Sequence, residues 1–441
     1  MSTLASATGV LEDIVRAWRR SDRVFGALAP DALLEQPIPL RQPFVFYLGH
    51  LPAFAWNQLG RWLLGRGPAD PALDELFARG IDPVGVDEYI PARPELWPSR
   101  EAILSYRDRV RAALQGLAAD LDPGDARHAL VLGTVLEHEL MHQETLLYML
   151  RRLSLDRIHR DADLSPCAHG APAPPGMVEV PGGTAVLGRP REGHAFGWDN
   201  EFPRQSIEVP AFTIETTPVR NRDFLDFMED GGYEREDLWG AEAWEWRRRQ
   251  EVWHPPFWRR EDDGRWLYRT VFDELPLGRV LDWPASVSWA TAAAYARWRG
   301  GRLASEAELH RAAYGSPDGA PRAYPWGDAV PAAAHGNFGF RHWSPTPVGS
   351  HPAGASAWGV HELVGNGWEW TATPFGPLPG FTPMPNYAGY SADFFDGRHY
   401  VLLGASWATD DRLVRKSFRN WFQPHYPHTF SKFRCVYDAK G

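Results

Sequence analysis

Up to about Arg160 the apolar residues recur three and four positions apart, and after residue 170 that rhythm is gone. The periodic half must therefore fold as helices sharing one buried side, whereas the remainder cannot. LEDIVRAWRRSDRVFGAL, PFVFYLGHLPAFAWNQLGRWLLG, SREAILSYRDRVRAALQGLA and ALVLGTVLEHELMHQETLLYMLRRL all carry the helical spacing, and stretches bearing Pro and Gly (IDPVGVDEYIPARPELWP, DLDPGDARH) separate them. Four helices of this length predict an up-and-down bundle, whose interior is a common place for metal sites. DADLSPCAHGAPAPPG is rich in Pro and Ala without periodicity and reads as a linker. Beyond it come short runs (MVEVPGGTAVLG, QSIEVPAFTIETTPVR, YVLLGASWA) among long Gly-, Pro- and Trp-rich loops, with a few helices such as NRDFLDFMED, SWATAAAYARWRG and SEAELHRAAYG. That pattern predicts an irregular α+β domain. The expected division is a helical domain over residues 1–165, a linker over 166–175 and a mixed α/β domain over 176–441.

A chain of 441 residues is long enough for two such domains. Arg or Pro interrupts every long apolar run, so no membrane span is expected. The first residues, MSTLASATGVLEDIVRAWRRSDRV, mix acidic with apolar side chains and read as an amphipathic helix, not a signal peptide; the cytoplasm is the expected compartment. The net charge of −10, with Asp and Glu scattered, would repel a polyanion, which argues against a nucleic-acid partner. Only Cys167 and Cys435 are present, which argues against a disulfide scaffold and a Cys-rich zinc site and leaves the 16 histidines as the source of metal ligands. Most of the 21 Trp, 22 Phe and 14 Tyr must pack the core of a loop-rich domain, but a minority can line a pocket for a cationic ammonium group.

In LEHELMHQETLLYML, His138 and His142 stand four apart on an apolar helix, so both imidazoles leave the same face. Glu144 points well away from that face and suits a supporting role better than ligation. His50, in PFVFYLGHLPAFAW, lies mid-helix among apolar neighbours and is the only histidine of the first hundred residues. A bundle would bring it near the pair. An isolated i,i+4 pair of histidines is also what ordinary core packing produces. Three neutral imidazoles on one side of an ion leave the other side open, which suits a redox iron taking O2 and a substrate together. Zinc accepts three histidines and a water equally well.

The pairing of PFVFYLGH with EHELMHQE resembles the metal-binding half of the ergothioneine-type sulfoxide synthases, whose bundle is DinB-like. The remainder resembles the formylglycine-generating-enzyme fold, related to C-type lectins, through FGWDNEFPRQSIEVPAF, TTPVRNRDFLDF, GRLASEAELHRAAYG, YPWGD, PVGSHPAGASAWGVHELVGNGWEWT and GASWATDDRLVRKSFRNWFQPHYPHTFSKFRC. The similarity covers nearly the whole chain. It implies an Fe(II)- and O2-dependent enzyme that joins sulfur or selenium to the imidazole ring of hercynine, the trimethylated betaine of histidine. The second domain would then form a substrate-binding wall over the iron. Formylglycine-generating enzymes proper hold copper with a close cysteine pair; here GASWAT has Ala408 and Cys435 stands alone, so that activity is not expected. Carried over by position, His50, His138 and His142 match the iron ligands. Tyr387 and Tyr390, in NYAGYSADFF, match a Tyr-x-x-Tyr element, the first as proton donor beside O2 and the second helping to hold hercynine. Asn420 and Trp421, in FRNWF, match the cradle of the trimethylammonium group.

Three positions depart from the family pattern. Met141 replaces a Gln before the second helical histidine, Phe422 replaces an Asp and His425 an Arg of the enzymes that use γ-glutamylcysteine. Those two charges would hold the ends of the peptide donor by charge-assisted bonds. An aromatic and a histidine suit a less charged donor, which leans the expectation toward the selenoneine-forming branch with its selenosugar. Ordinary ergothioneine-type synthesis from γ-glutamylcysteine or cysteine is the alternative. Two other classes stand beside it: a lectin-like binding module on a helical support, and a zinc-dependent DinB-type thiol transferase needing neither O2 nor Tyr387.

Overall fold

The computed structural model describes residues 7–78, 93–122, 124–160, 173–192 and 196–439. They fall into two compact units. One comprises Met1–Ala162 with Glu192–Trp198 and Met384–Tyr387, and the other takes the remainder. Two short segments from beyond residue 162 thus belong to the helical unit. Most of the expected linker, 166–172, lies outside the described residues, as do Cys167 and much of IDPVGVDEYIPARPELWP.

The helical unit is built on α1 (Ala7–Gly26), α2 (Phe44–Ala55), α3 (Pro71–Leu76), α4 (Arg100–Gly116) and α5 (Ala126–Leu150). Their spacing explains their packing. Ile14, Ala17, Trp18, Ser21 and Val24 are the buried stripe of α1, and Ile103, Tyr106, Val110 and Leu114 that of α4. Side-chain caps start the helices: Asp70 accepts from Leu73 N, Ser99 from Ala102 N, and Asp125 from Arg127 N and His128 N. α1 packs on α5, and α2 on α4. Where a single helix was expected over PFVFYLGHLPAFAWNQLGRWLLG, α2 passes after Ala55 into a π-helical stretch, Trp56–Leu63. Pro52 has no N–H to close the preceding turn. Gly60 lets the Trp56 ring lie where a Cβ would come within 2.8 Å of it.

The other unit is mixed, as its texture predicts. β1 (Met177–Val180), β4 (Phe212–Glu215), β13 (Cys435–Asp438) and β8 (Arg302–Leu303) form one sheet in that order. β11 (Asn420–Phe422), β10 (Tyr400–Ala405), β9 (Gly367–Pro374) and β12 (Ser431–Lys432) form a second, with β12 parallel to β9. β2 (Gly183–Leu187) pairs with β3 (Gln205–Val209), and β5 (Trp258–Arg260), β6 (Trp266–Arg269) and β7 (Glu274–Pro276) make a meander. The helices are α6 (Asn221–Glu229), α7 (Ala241–Arg249), α8 (Trp289–Trp298), α9 (Glu306–Tyr314) and the short α10 (Gly389–Ala392). The S-x-x-E of LASEAEL is a reciprocal capping box between Ser305 and Glu308 at the start of α9. Buried ion pairs tie loop arginines to the body of the unit: Arg434 to Glu369 of β9, Arg419 to Glu306 of α9, and Arg415 to Glu201. Among the described residues no helix is long and apolar enough to cross a membrane.

Candidate active site

In the helical unit, α2 presents His50 and α5 presents His138 and His142, and one nitrogen from each lies within 4.8 Å of the others. His50 Nε2 and His138 Nε2 are 3.3 Å apart. Two nitrogens bound at about 2.1 Å to one ion lie roughly 3.0–3.4 Å apart at angles from a right angle to tetrahedral, so this spacing fits a shared cation. The backbone sets the tautomers. His50 Nδ1 donates to Phe77 O at 2.8 Å and His142 Nδ1 to His138 O at 3.0 Å, which leaves each Nε2 with its lone pair for a metal. The first bond requires α3 to approach closely. Gly49 permits it, because a Cβ there would fall 2.4 Å from the Phe77 ring.

Burial, then the neighbouring His142 and His50, holds the pKa of His138 well below its ordinary value. Burial and His50 push that of His142 down to about 3. Both are therefore neutral near pH 7 and ready to ligate. The surroundings are aromatic: Phe46 stacks on His50 at 4.8 Å, Phe54 on His138 at 3.5 Å, and Tyr47 lies 5.7 Å from His142. Tyr387 belongs to this unit, half-buried, with its ring 5.4 Å from that of Phe54. Met141 is half-buried on α5 and Glu144 is buried.

In the other unit, Trp421 sits on β11 opposite Val401 of β10. Phe375 stacks on its face at 4.3 Å and 7°, with the Arg419 guanidinium 5.1 Å from the Phe375 ring. Tyr390 meets Trp421 edge-on at 5.3 Å and Phe394 lies at 5.5 Å. Three rings so disposed form the kind of box that attracts a quaternary ammonium. Successive strand residues leave opposite faces, so Phe422 departs from Trp421 and stacks on Tyr426 at 5.0 Å. Asn420 turns its Oδ1 back to the Trp421 amide. His425 is buried and stacks on Trp246 of α7 at 4.5 Å, with Nε2 4.0 Å from Glu242. The structure therefore joins Tyr390 with Trp421, and sets Phe422 and His425 in separate stacks.

Sequence reasoning missed Phe54, Phe375, Phe394 and Trp246, because single aromatic residues in a chain this rich in them carry no signal of their own. It also missed Gln58, Thr134 and Asn386. A Gln inside the apolar run FAWNQLGRWLLG was the available cue for the first.

Residues 13–146 match the DinB superfamily, and residues 165–439 match the Sulfatase-modifying factor enzyme 1-like domain. The hercynine oxygenase of Mycobacterium tuberculosis is 38% identical over 419 residues, covering 91% of this chain and 92% of that protein. Ergothioneine biosynthesis protein 1 of Neurospora crassa is 32% identical over 533 residues, and this chain spans 58% of its length. The formylglycine-generating enzyme of Thermomonospora curvata is 32% identical over 230 residues, 45% of this chain and 71% of that protein. A DinB-type helical domain followed by a formylglycine-generating-enzyme-type domain, with three histidines converging in the first, defines an oxidoreductase-type enzyme. The chain belongs to the hercynine oxygenase family. Ala408 and Cys435 are both buried, and burial together with Glu215 pushes the Cys435 thiol well above its ordinary pKa, so this thiol is a packing group and no ready metal ligand.

Proposed function

We propose that this enzyme binds iron(II) through His50, His138 and His142 and uses O2 to form a carbon–sulfur or carbon–selenium bond at C2 of the hercynine imidazole. The observation that carries the reading is the set of three imidazoles, two with Nδ1 donated to carbonyl oxygens and each offering one nitrogen to a common centre. The family name of the relatives supports hercynine and oxygen. Iron(II) held there would supply electrons and open coordination positions for O2. In the overall balance, the hydrogens of the ring C–H and of the thiol or selenol leave with one oxygen atom as water. The second oxygen ends on the sulfur or selenium.

The chain's own residues divide the remaining work. Trp421, Tyr390 and Phe394 receive the trimethylammonium group, which cannot hydrogen-bond and is held by ring faces. Phe54 and Phe46 cover the imidazoles against water. Tyr387 delivers the proton that turns the reaction toward ring substitution, away from simple oxidation of the donor. Phe422 on Tyr426 and His425 on Trp246 offer flat faces where a peptide donor would need charges. That supports a seleno- or thiosugar donor in preference to γ-glutamylcysteine.

The test is anaerobic loading with Fe(II) and hercynine, followed by O2 and a panel of donors, with product masses recorded. The expected product carries the donor on the ring, and the sugar donor outpaces the dipeptide. Turnover with zinc in place of iron, or without O2, would sink the oxygenase reading. γ-Glutamylcysteine as the best donor would sink the selenium reading alone.

A further inference from the structure

Asn386 is buried beside Tyr387, 328 positions from Gln58, yet the two residues bond reciprocally. Gln58 Nε2 donates to the Asn386 main-chain oxygen at 3.0 Å, and Asn386 Nδ2 donates to Gln58 Oε1 at 3.0 Å and to Thr134 Oγ1 at 3.1 Å. Thr134 passes its own proton to Leu130 O at 2.8 Å, so its oxygen is free to accept. The orientation of every group is thereby fixed. A flipped Asn386 amide would set oxygen against two acceptors. Gln58 comes from the π-helical stretch and Thr134 from α5 one turn before His138. Gly133 keeps α5 bare at this level, since a Cβ there would fall 2.2 Å from the Phe196 ring. Asn386 Oδ1, also buried, has no hydrogen-bond partner among the described residues.

We propose that Gln58, Thr134 and Asn386 are positioning residues that aim the Tyr387 phenol, and that they set how the reaction divides between ring substitution and donor oxidation. The ring of Tyr387 rests against Phe54, which stacks on His138, so a shift of residues 384–387 moves the phenol relative to the histidine cluster. The inference rests on Tyr387 acting as the proton donor. An ångström of misplacement can cost about a hundredfold at a reacting centre.

The experiment uses the full chain with Gln58→Leu, Thr134→Val and, as the conservative partner, Thr134→Ser. Hydrogen exchange on metal-free protein reads the anchoring directly. The peptide holding residues 384–387 should exchange several-fold faster in the first two variants and as in the parent in Thr134→Ser. Bound iron and far-UV dichroism should stay at parent levels. In the iron-loaded enzyme the ratio of oxidised donor to ring-substituted product should rise on the order of tenfold, approaching that of Tyr387→Phe, with Thr134→Ser restoring the parent ratio. Thr134→Val should add nothing in the Tyr387→Phe background. Faster exchange with an unchanged product ratio overturns the positioning role, as does unchanged exchange. A parent enzyme that forms no ring-substituted product with any donor overturns the functional reading instead, and the exchange result still decides whether the clamp anchors the segment.

Discussion

The two units treat buried polar groups differently. In the helical unit several such side chains lean on the backbone or on neutral partners. His50 donates to Phe77 O, His142 to His138 O, and Gln143 to Ala17 O and to Ser21, while the hydroxyls of Tyr106 and Ser21 donate to the carboxylates of Asp74 and Glu139. In the other unit buried guanidinium groups meet carboxylates, Arg434 with Glu369 and Arg419 with Glu306, and the Lys432 ammonium donates to the carbonyls of Gly365 and Gly367. Helices satisfy their own backbone and so have side-chain lone pairs to spare, which is what a metal requires. Long loops do not, and buried charges pin them at defined points. The first arrangement suits ligation, and the second ties the long loops down.

That contrast can be broken at either end. The largest effect is expected at the histidines. His138→Ala or His50→Ala should abolish iron binding and turnover while the helical content stays at the parent level, read by metal analysis and circular dichroism. Full iron in His50→Ala would remove it from the ligand set.

Next come the buried ion pairs. Arg434→Met leaves Glu369, among the described residues, with the Lys432 ammonium at 3.8 Å, and should cost about 3–5 kcal/mol in denaturant unfolding. Arg434→Met with Glu369→Gln should cost less than the single change. If the single change is nearly neutral, the buried charges do not hold the loops.

The third prediction uses a histidine with no metal role. Burial pushes His310 of α9 down to about 4, against the upward pull of Glu306. Its folded pKa lies below the unfolded value near 6.5, so the unfolded chain binds the extra proton in between, and stability falls as pH drops from 6.5 toward 4. The loss is on the order of 3 kcal/mol, and His310→Gln should flatten that part of the profile. An unchanged slope in the variant would assign it to other groups.

The smallest effect belongs to the aromatic box. Trp421→Ala should weaken hercynine binding by roughly 1–2 kcal/mol, with histidine, which lacks the methyl groups, bound poorly by the parent. Equal affinity for the two ligands would rule the box out.

What the sequence disclosed follows the range over which its signals act. α4 and α5 were legible because spacing and caps are local: Ser99 and Asp125 stand where the helices begin. α7 was not singled out, since AEAWEWRRR places Trp and Arg without a clear apolar stripe. The π-helical stretch was hidden because its composition is that of an ordinary helix. His50 and His138, 88 positions apart, are brought together by the expected bundle and by the resemblance, and by no local pattern. The contact of Gln58 with Asn386 spans 328 positions between polar residues of common type; the Gln inside an apolar run hints at the first, and nothing in the sequence joins it to the second. The buried ion pairs were unreadable for the same reason.

The π-helical stretch also says something about which length changes this chain can tolerate. A π turn holds an extra residue that an α turn would not, so it is where a helix absorbs an insertion without moving what precedes it. Removing Asn57 would let the stretch close into α geometry. His50, upstream, would keep its place, while Gln58, next after the deletion, would be drawn one position back along the helix. The same deletion made between Phe44 and His50 would instead swing the imidazole off its face. Two deletions a few residues apart should thus differ sharply: the first spares the metal and loses the Gln58 contact, and the second loses the metal outright.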